Sequence, residues 1–110
     1  MAFPKAESRT IVFNSGKALG VSVQWPGGQY CAIHTPQGLV GCGIYDIRAA
    51  NEFNLAVAIA RGTPENPLRD PEDLFKAKIL EVSQAAEKLG ITPGMTGMEA
   101  VEKMLTAPAE

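Results

Sequence analysis

One histidine and two cysteines are all that this 110-residue chain has of the side chains that most often act as nucleophiles, proton carriers or metal ligands near neutral pH. A single histidine excludes the HExxH zinc motif. It leaves a metal only the cysteines and carboxylates to complete a ligand set, so no metal is expected. There is no GxSxG elbow, no paired-carboxylate signature and no Walker spacing with its lysine, so neither an elbow serine nor a Walker-type phosphate cradle is encoded. No cofactor fingerprint is present, and none is expected to bind. An excess of one charge is missing too: 10 basic residues stand against 12 acidic ones, a net of −2. That balance gives no field to recruit a phosphate backbone or anionic lipid, so nucleic acid and membrane surfaces are not expected partners. The apolar runs are short and broken by glycine, far below the ~20 residues of a membrane-spanning helix. The stretch from Met1 to Glu7 has no apolar core of the secretory type. Cys31 and Cys42 then read as free thiols in a reducing compartment, and the cytoplasm is the expected location.

What is present is ordinary globular composition, 45% hydrophobic and 20% charged. A chain of this length buries roughly 65% of its unfolded surface, enough for one core. The expectation is a single α+β domain over 8–105, with a flexible lead-in over 1–7 and a flexible tail over 106–110. Arg9–Phe13 is β-branched and aromatic and ends at the turn residues Asn14–Gly16. Ala18–Trp25 alternates, with Leu19, Val21, Val23 and Trp25 on one face. After the turn at Pro26–Gly28, Gln29–Thr35 forms a third strand. Pro36–Gly38 turns again, and Leu39–Gly43 forms a fourth. Four strands at this spacing make an antiparallel meander.

Beyond the meander the pattern changes. Asp46 suits the N-cap of a short helix, Ile47–Phe53, with Ile47, Ala50 and Phe53 facing inward. Leu55–Ala60 reads as a buried strand, and Thr63–Asp70, with Pro64 and Pro67, as a loop. Asp70 and Pro71 open a helix. From there two readings stand. Phe75, Ile79, Val82, Ala86 and Leu89 fit one amphipathic helix. Alternatively Lys78–Val82 is a strand and Ser83 caps a new helix, Gln84–Leu89. Gly90 ends this region, and Thr96 with Glu99 forms a capping box for a last helix to about Leu105. The expected architecture is thus the meander, then short helices and a buried strand, then C-terminal helices packed on the sheet.

Three stretches carry a resemblance: Gly41-Cys42-Gly43-Ile44-Tyr45-Asp46, Ala58-Ile59-Ala60-Arg61-Gly62, and LGITPGMTGMEAV from Leu89 to Val101. In order and spacing they are similar to the YunC-like family, small bacterial and archaeal proteins built on a domain of unknown function. The likeness spans roughly Ser8 to Leu105. It implies the helix–strand–helix reading of 71–89 and self-association, as a tetramer, through the N-terminal sheet. It implies no activity. The proline-bearing loop Thr63–Asp70 departs from the family pattern. Physical reasoning also favours a homo-oligomer, because a four-stranded meander with a Trp25-bearing apolar face and open edges needs cover.

Cys42 is the candidate for chemistry, flanked by two glycines at a strand end, with Asp46 four residues on and Arg61 ending the buried strand. A thiol near an arginine and helix amides has a depressed pKa and serves as a nucleophile or redox sensor. The plain alternative is a buried cysteine packing as a small hydrophobe, with Asp46 capping its helix and pairing with Arg61. Two functions follow. One is a homo-oligomer binding a small ligand near Cys42, Asp46 and Arg61; the other is a thiol-dependent enzyme or redox sensor using Cys42. His34, on the third strand, does not share a face with Cys31 and reads as a solvent-facing or interface residue. Gly94–Glu99 is explained by a turn and a capping box, and Met95, Met98 and Met104 by packing.

Overall fold

The structure, a computed structural model, describes residues 3–107; residues 1–2 and 108–110, part of the expected lead-in and tail, lie outside the described residues. Two-residue turns at Asn14–Ser15, Pro26–Gly27 and Pro36–Gln37 fold the first half into the expected meander. Its strands are β1 (Lys5–Phe13), β2 (Gly16–Trp25), β3 (Gly28–Thr35) and β4 (Gly38–Gly41). β1 begins at Lys5, where the polar start of the chain led to an expected frayed lead-in up to residue 7. Pairing of Lys5 with Gln24 and Ala6 with Val23 holds it to the full length of β2.

Asp46 caps the helix α1 (Ile47–Glu52), its carboxylate accepting from the Arg48 N–H at 2.9 Å. α1 carries the chain across to β5 (Val57–Ala60), which pairs parallel to β4, and β6 (Ile79–Val82) pairs antiparallel to β5. The result is a six-stranded sheet in the order β1-β2-β3-β4-β5-β6. Between β5 and β6 the loop and a 3₁₀ turn, α2 (Pro71–Leu74), pass over the sheet. The helices α3 (Gln84–Lys88) and α4 (Gly97–Thr106) follow β6. The helix–strand–helix reading of 71–89 is therefore the observed one. The apolar spacing there also fitted a helix, but the Ile79 N–H donates to the Met95 carbonyl at 2.7 Å and the segment pairs with β5.

The sheet has two unlike faces. On one, β2 presents Ala18, Gly20 and Ser22, all buried. Small residues let α2 approach closely: a Cβ at Gly20 would stand 2.8 Å from the Pro71 ring. Under α2, α3 and α4 this face forms the main core, with Phe13, Cys31, Ile33, Val40, Leu74, Ile79, Ile91, Val101 and Met104. Each fully buried Ile, Leu, Val or Met contributes about 1.5–3 kcal/mol. Phe13 meets Phe75 edge-on at 5.6 Å, and Arg9 of β1 makes a two-pronged ion pair with Glu72 of α2. The opposite face carries Leu19, Val21, Val23 and Trp25 from β2. There only β4 and β5 are covered, by Ile47 and Ala50 of α1 over Leu39, Val57 and Ile59. Phe53, expected to face inward, is 70% exposed because the helix ends at Glu52, before that position turns back to the sheet.

Ser83 is fully buried and bonded three ways. Its hydroxyl donates to the Leu55 carbonyl at 2.7 Å and accepts from Val57 N–H at 2.9 Å and Ala86 N–H at 3.3 Å. Ser83→Ala strands a buried N–H and C=O and removes a helix cap, and is expected to cost about 2–3 kcal/mol, read as a lower urea midpoint. Gly97→Ala drives a Cβ to 1.9 Å from the Leu74 carbonyl oxygen. It is expected to lower the same midpoint by about 1–3 kcal/mol or more, since backbone must move.

Candidate functional site

The two-residue turn at Pro36–Gln37 pairs each residue of β3 with its mirror on β4: Thr35 with Gly38, and so on to Ala32 with Gly41. One step further out, Cys42 stands opposite Cys31, and its N–H donates to the Cys31 carbonyl at 3.2 Å. β4 ends at Gly41, so Cys42 lies just beyond the strand that was expected to run to Gly43. Both thiols turn into the main core, Cys31 fully buried and Cys42 7% exposed. Neither is in a disulfide.

The two cysteine side chains lie in the same core cluster. With the Cys31 S–H donating to it, the Cys42 thiol is brought down to about 5, against the opposing effect of burial and with help from the Ile44 N–H. Cys31 is correspondingly pushed up, by that same hydrogen bond, by burial and by the negative charge on Cys42. On the other side of the strand Tyr45 lies flat against Gly41, where a Cβ would come within 2.5 Å of its ring. Burial, then the Cys42 charge, raises the Tyr45 phenol. Glycine at 41 is what lets the tyrosine cover the strand end.

The two residues expected beside Cys42 point elsewhere. Asp46 is exposed and spends its carboxylate on the helix cap. Arg61 is exposed immediately after β5, and the ion pairs formed among the described residues involve Lys5, Glu7, Arg9 and Glu72 but neither Asp46 nor Arg61. Parallel pairing that sets Gly41 opposite Ile59 does bring the ends of β4 and β5 out at the same edge of the sheet. So the three residues share one end of the fold, with the thiol inside and the two charges outside. The residue opposite Cys42 is Cys31, expected from the sequence as a free thiol and not as a neighbour of Cys42. Counting outward from the Pro36–Gln37 turn would have found it.

His34 lies on the opposite face to Cys31, half-buried, and burial lowers its imidazole pKa. It walls two hollows at the β3–β4 end of the sheet. One, of about 430 Å³, is lined by Thr10, Lys17, Leu19 and Pro36 among others. The second, of about 280 Å³, lies against Leu39, Asn54, Leu55 and Val57.

The fold is that of a small α+β protein, a six-stranded sheet with one parallel crossover and a capped C-terminal helix. The family model for a domain of unknown function, DUF1805, matches residues 41–104, the part that holds this crossover and the C-terminal helix. The chain is 34% identical over 85 residues to the uncharacterised protein YunC of Bacillus subtilis, covering 77% of this chain and 83% of YunC. It belongs to the DUF1805 family. A crystal structure of a protein of unknown function from Thermoplasma acidophilum has the same fold, with a TM-score of 0.83 at 19% identity over 94% of this chain and 97% of that one.

A titration of thiolate ultraviolet absorbance tests the pair. Cys42 is expected to be deprotonated above about pH 5 and protonated below it. Cys31→Ala removes the donor and is expected to move the midpoint up toward the ordinary thiol value of ~8.5.

Proposed function

We propose that this protein is a cytoplasmic homo-oligomeric binding protein, its copies joined through the uncovered part of the sheet and a small ligand met where β4 and β5 end. The observation that carries the reading is the half-covered face. Val12, Leu19 and Trp25 are 73%, 45% and 40% exposed there, while Val21, Val23 and Tyr30 are half-buried beside them. Trp25 and Tyr30 pack against each other at 5.9 Å, leaving a broad aromatic surface. An apolar patch of contiguous side chains on a sheet is the kind of surface that a monomer hides. β1 adds an unpaired edge, which a second copy also protects. Four copies is the assembly offered by the family resemblance. No helix among the described residues is long and apolar enough to cross a membrane, so these side chains are not explained by a helical span. The reduced state of Cys31 and Cys42 supports the cytoplasmic placement.

For the ligand, Asp46 and Arg61 offer exposed charges of both signs at the shared strand ends, and Cys42 contributes backbone and thiol behind them. The carboxyl ends of parallel strands are where open sheets with crossovers bind small molecules.

Sedimentation at micromolar concentration tests assembly. The native protein is expected as an oligomer, and Trp25→Ala is expected to weaken its association by about 2 kcal/mol, near thirtyfold. A folded single subunit at that concentration, or an unchanged profile for Trp25→Ala, overturns this use of the face. Native mass spectrometry of protein from its own cells tests the ligand: a retained small molecule is expected, lost in Arg61→Ala.

A further inference from the structure

We infer that Cys31 and Cys42 are a peroxide-sensing pair that closes reversibly into a disulfide between β3 and the end of β4. This goes beyond the assembly reading and does not depend on it.

The geometry comes first. The residues stand directly opposite each other at the next position of an antiparallel ladder, joined by the Cys42 N–H to Cys31 carbonyl bond of 3.2 Å. Facing residues in such a ladder have Cβ atoms about 4.5–5.5 Å apart, and a disulfide needs about 3.5–4.5 Å. Closure therefore asks for a movement of about 1 Å, and both side chains already lie on one face of the sheet, in the same core. The movement falls at a suitable place. β4 has ended at Gly41, Cys42 is followed by an exposed glycine, and a Cβ built at Gly43 meets nothing within 4 Å. The 7% exposure of Cys42 suits a small oxidant and disfavours a bulky one.

The two cysteines also have unequal parts. Cys31 is fully buried, whereas Cys42 keeps 7% exposure next to the exposed Gly43, so Cys42 is the sulfur that meets the oxidant. The Cys42 thiolate attacks one oxygen of hydrogen peroxide or a small alkyl hydroperoxide: the S–O bond forms, the O–O bond breaks, and the departing alkoxide or hydroxide leaves as alcohol or water on taking a proton from solvent. Cys42 is then a sulfenic acid. The Cys31 sulfur attacks the Cys42 sulfur as its S–H proton passes to the leaving hydroxyl. The S–S bond forms, the S–O bond breaks, and a second water is released. Two thiols lose two electrons and the peroxide gains them. A thiol reductant reverses the process by exchange.

The test uses the intact, reduced protein at neutral pH. On adding equimolar hydrogen peroxide, the intact mass is expected to fall by two hydrogens without change in subunit count. Peptide mapping is expected to find a Cys31–Cys42 link, and dithiothreitol to restore the mass. Cys31→Ser is expected to stop at sulfenic acid, trapped on Cys42 by dimedone, and Cys42→Ser to take up no dimedone at Cys31. An unchanged mass in the native protein overturns the inference, as does oxidation that links only separate chains. Dimedone on Cys31 in Cys42→Ser overturns the assignment of roles. The native measurement stands even if a variant fails to fold.

Discussion

β5 has no side to spare. All four of its residues are buried, Ala58 and Ala60 beneath the main core, Val57 and Ile59 beneath α1. Its backbone is claimed on one edge by β4 and on the other by β6. Such a strand cannot tolerate an unpaired amide at its start, because no water reaches it. Ser83 meets that need, binding the Leu55 carbonyl and the Val57 N–H while capping α3. The meander, the crossover and the C-terminal helices thus converge on a four-residue strand and one hydroxyl. The small side chains of Ala58 and Ala60 are what leave room for layers above and below.

Because β5 runs parallel to β4, the chain must cross the sheet between them, and α1 is that crossing. It covers one face at one end only. The longer α4 and the α2 turn take the other face, drawn by Ala18, Gly20 and Ser22, whose lack of bulk permits close approach. Leu19, Val21, Val23 and Trp25 are left outward. The outward apolar surface and the buried pair of thiols are therefore two consequences of one alternation, read on opposite sides of the sheet.

Much of this was legible. The turns, the alternation in β2, the capping serine and threonine, and the buried run ending at Ala60 each follow from local preference, and each stands where the residues place it. For the 71–89 segment local preference left two readings open, and the helix–strand–helix one, implied by the family resemblance, is observed. Its apolar spacing satisfies a helix, and it is a strand because β5 offers an unpaired edge, a long-range condition that periodicity does not encode. Phe53 failed for the same reason, since the helix length that sets its direction is decided by the approach to β5. Around Cys42, Asp46 was expected as a neighbour from its place four residues on, and Arg61 from its place at the end of the buried strand. Asp46 turned to its own helix and Arg61 to solvent.

The sequence by itself determined the meander strands, their turns, the helix caps and which residues alternate, because these depend on contacts within a few positions. Only the tertiary structure decided which face of β2 would be covered, and that Cys31 rather than Arg61 would stand beside Cys42. Those outcomes depend on the volume of residues far along the chain, such as Pro71 against Gly20, and on where a strand finds its partner. Packing, unlike propensity, is settled between segments.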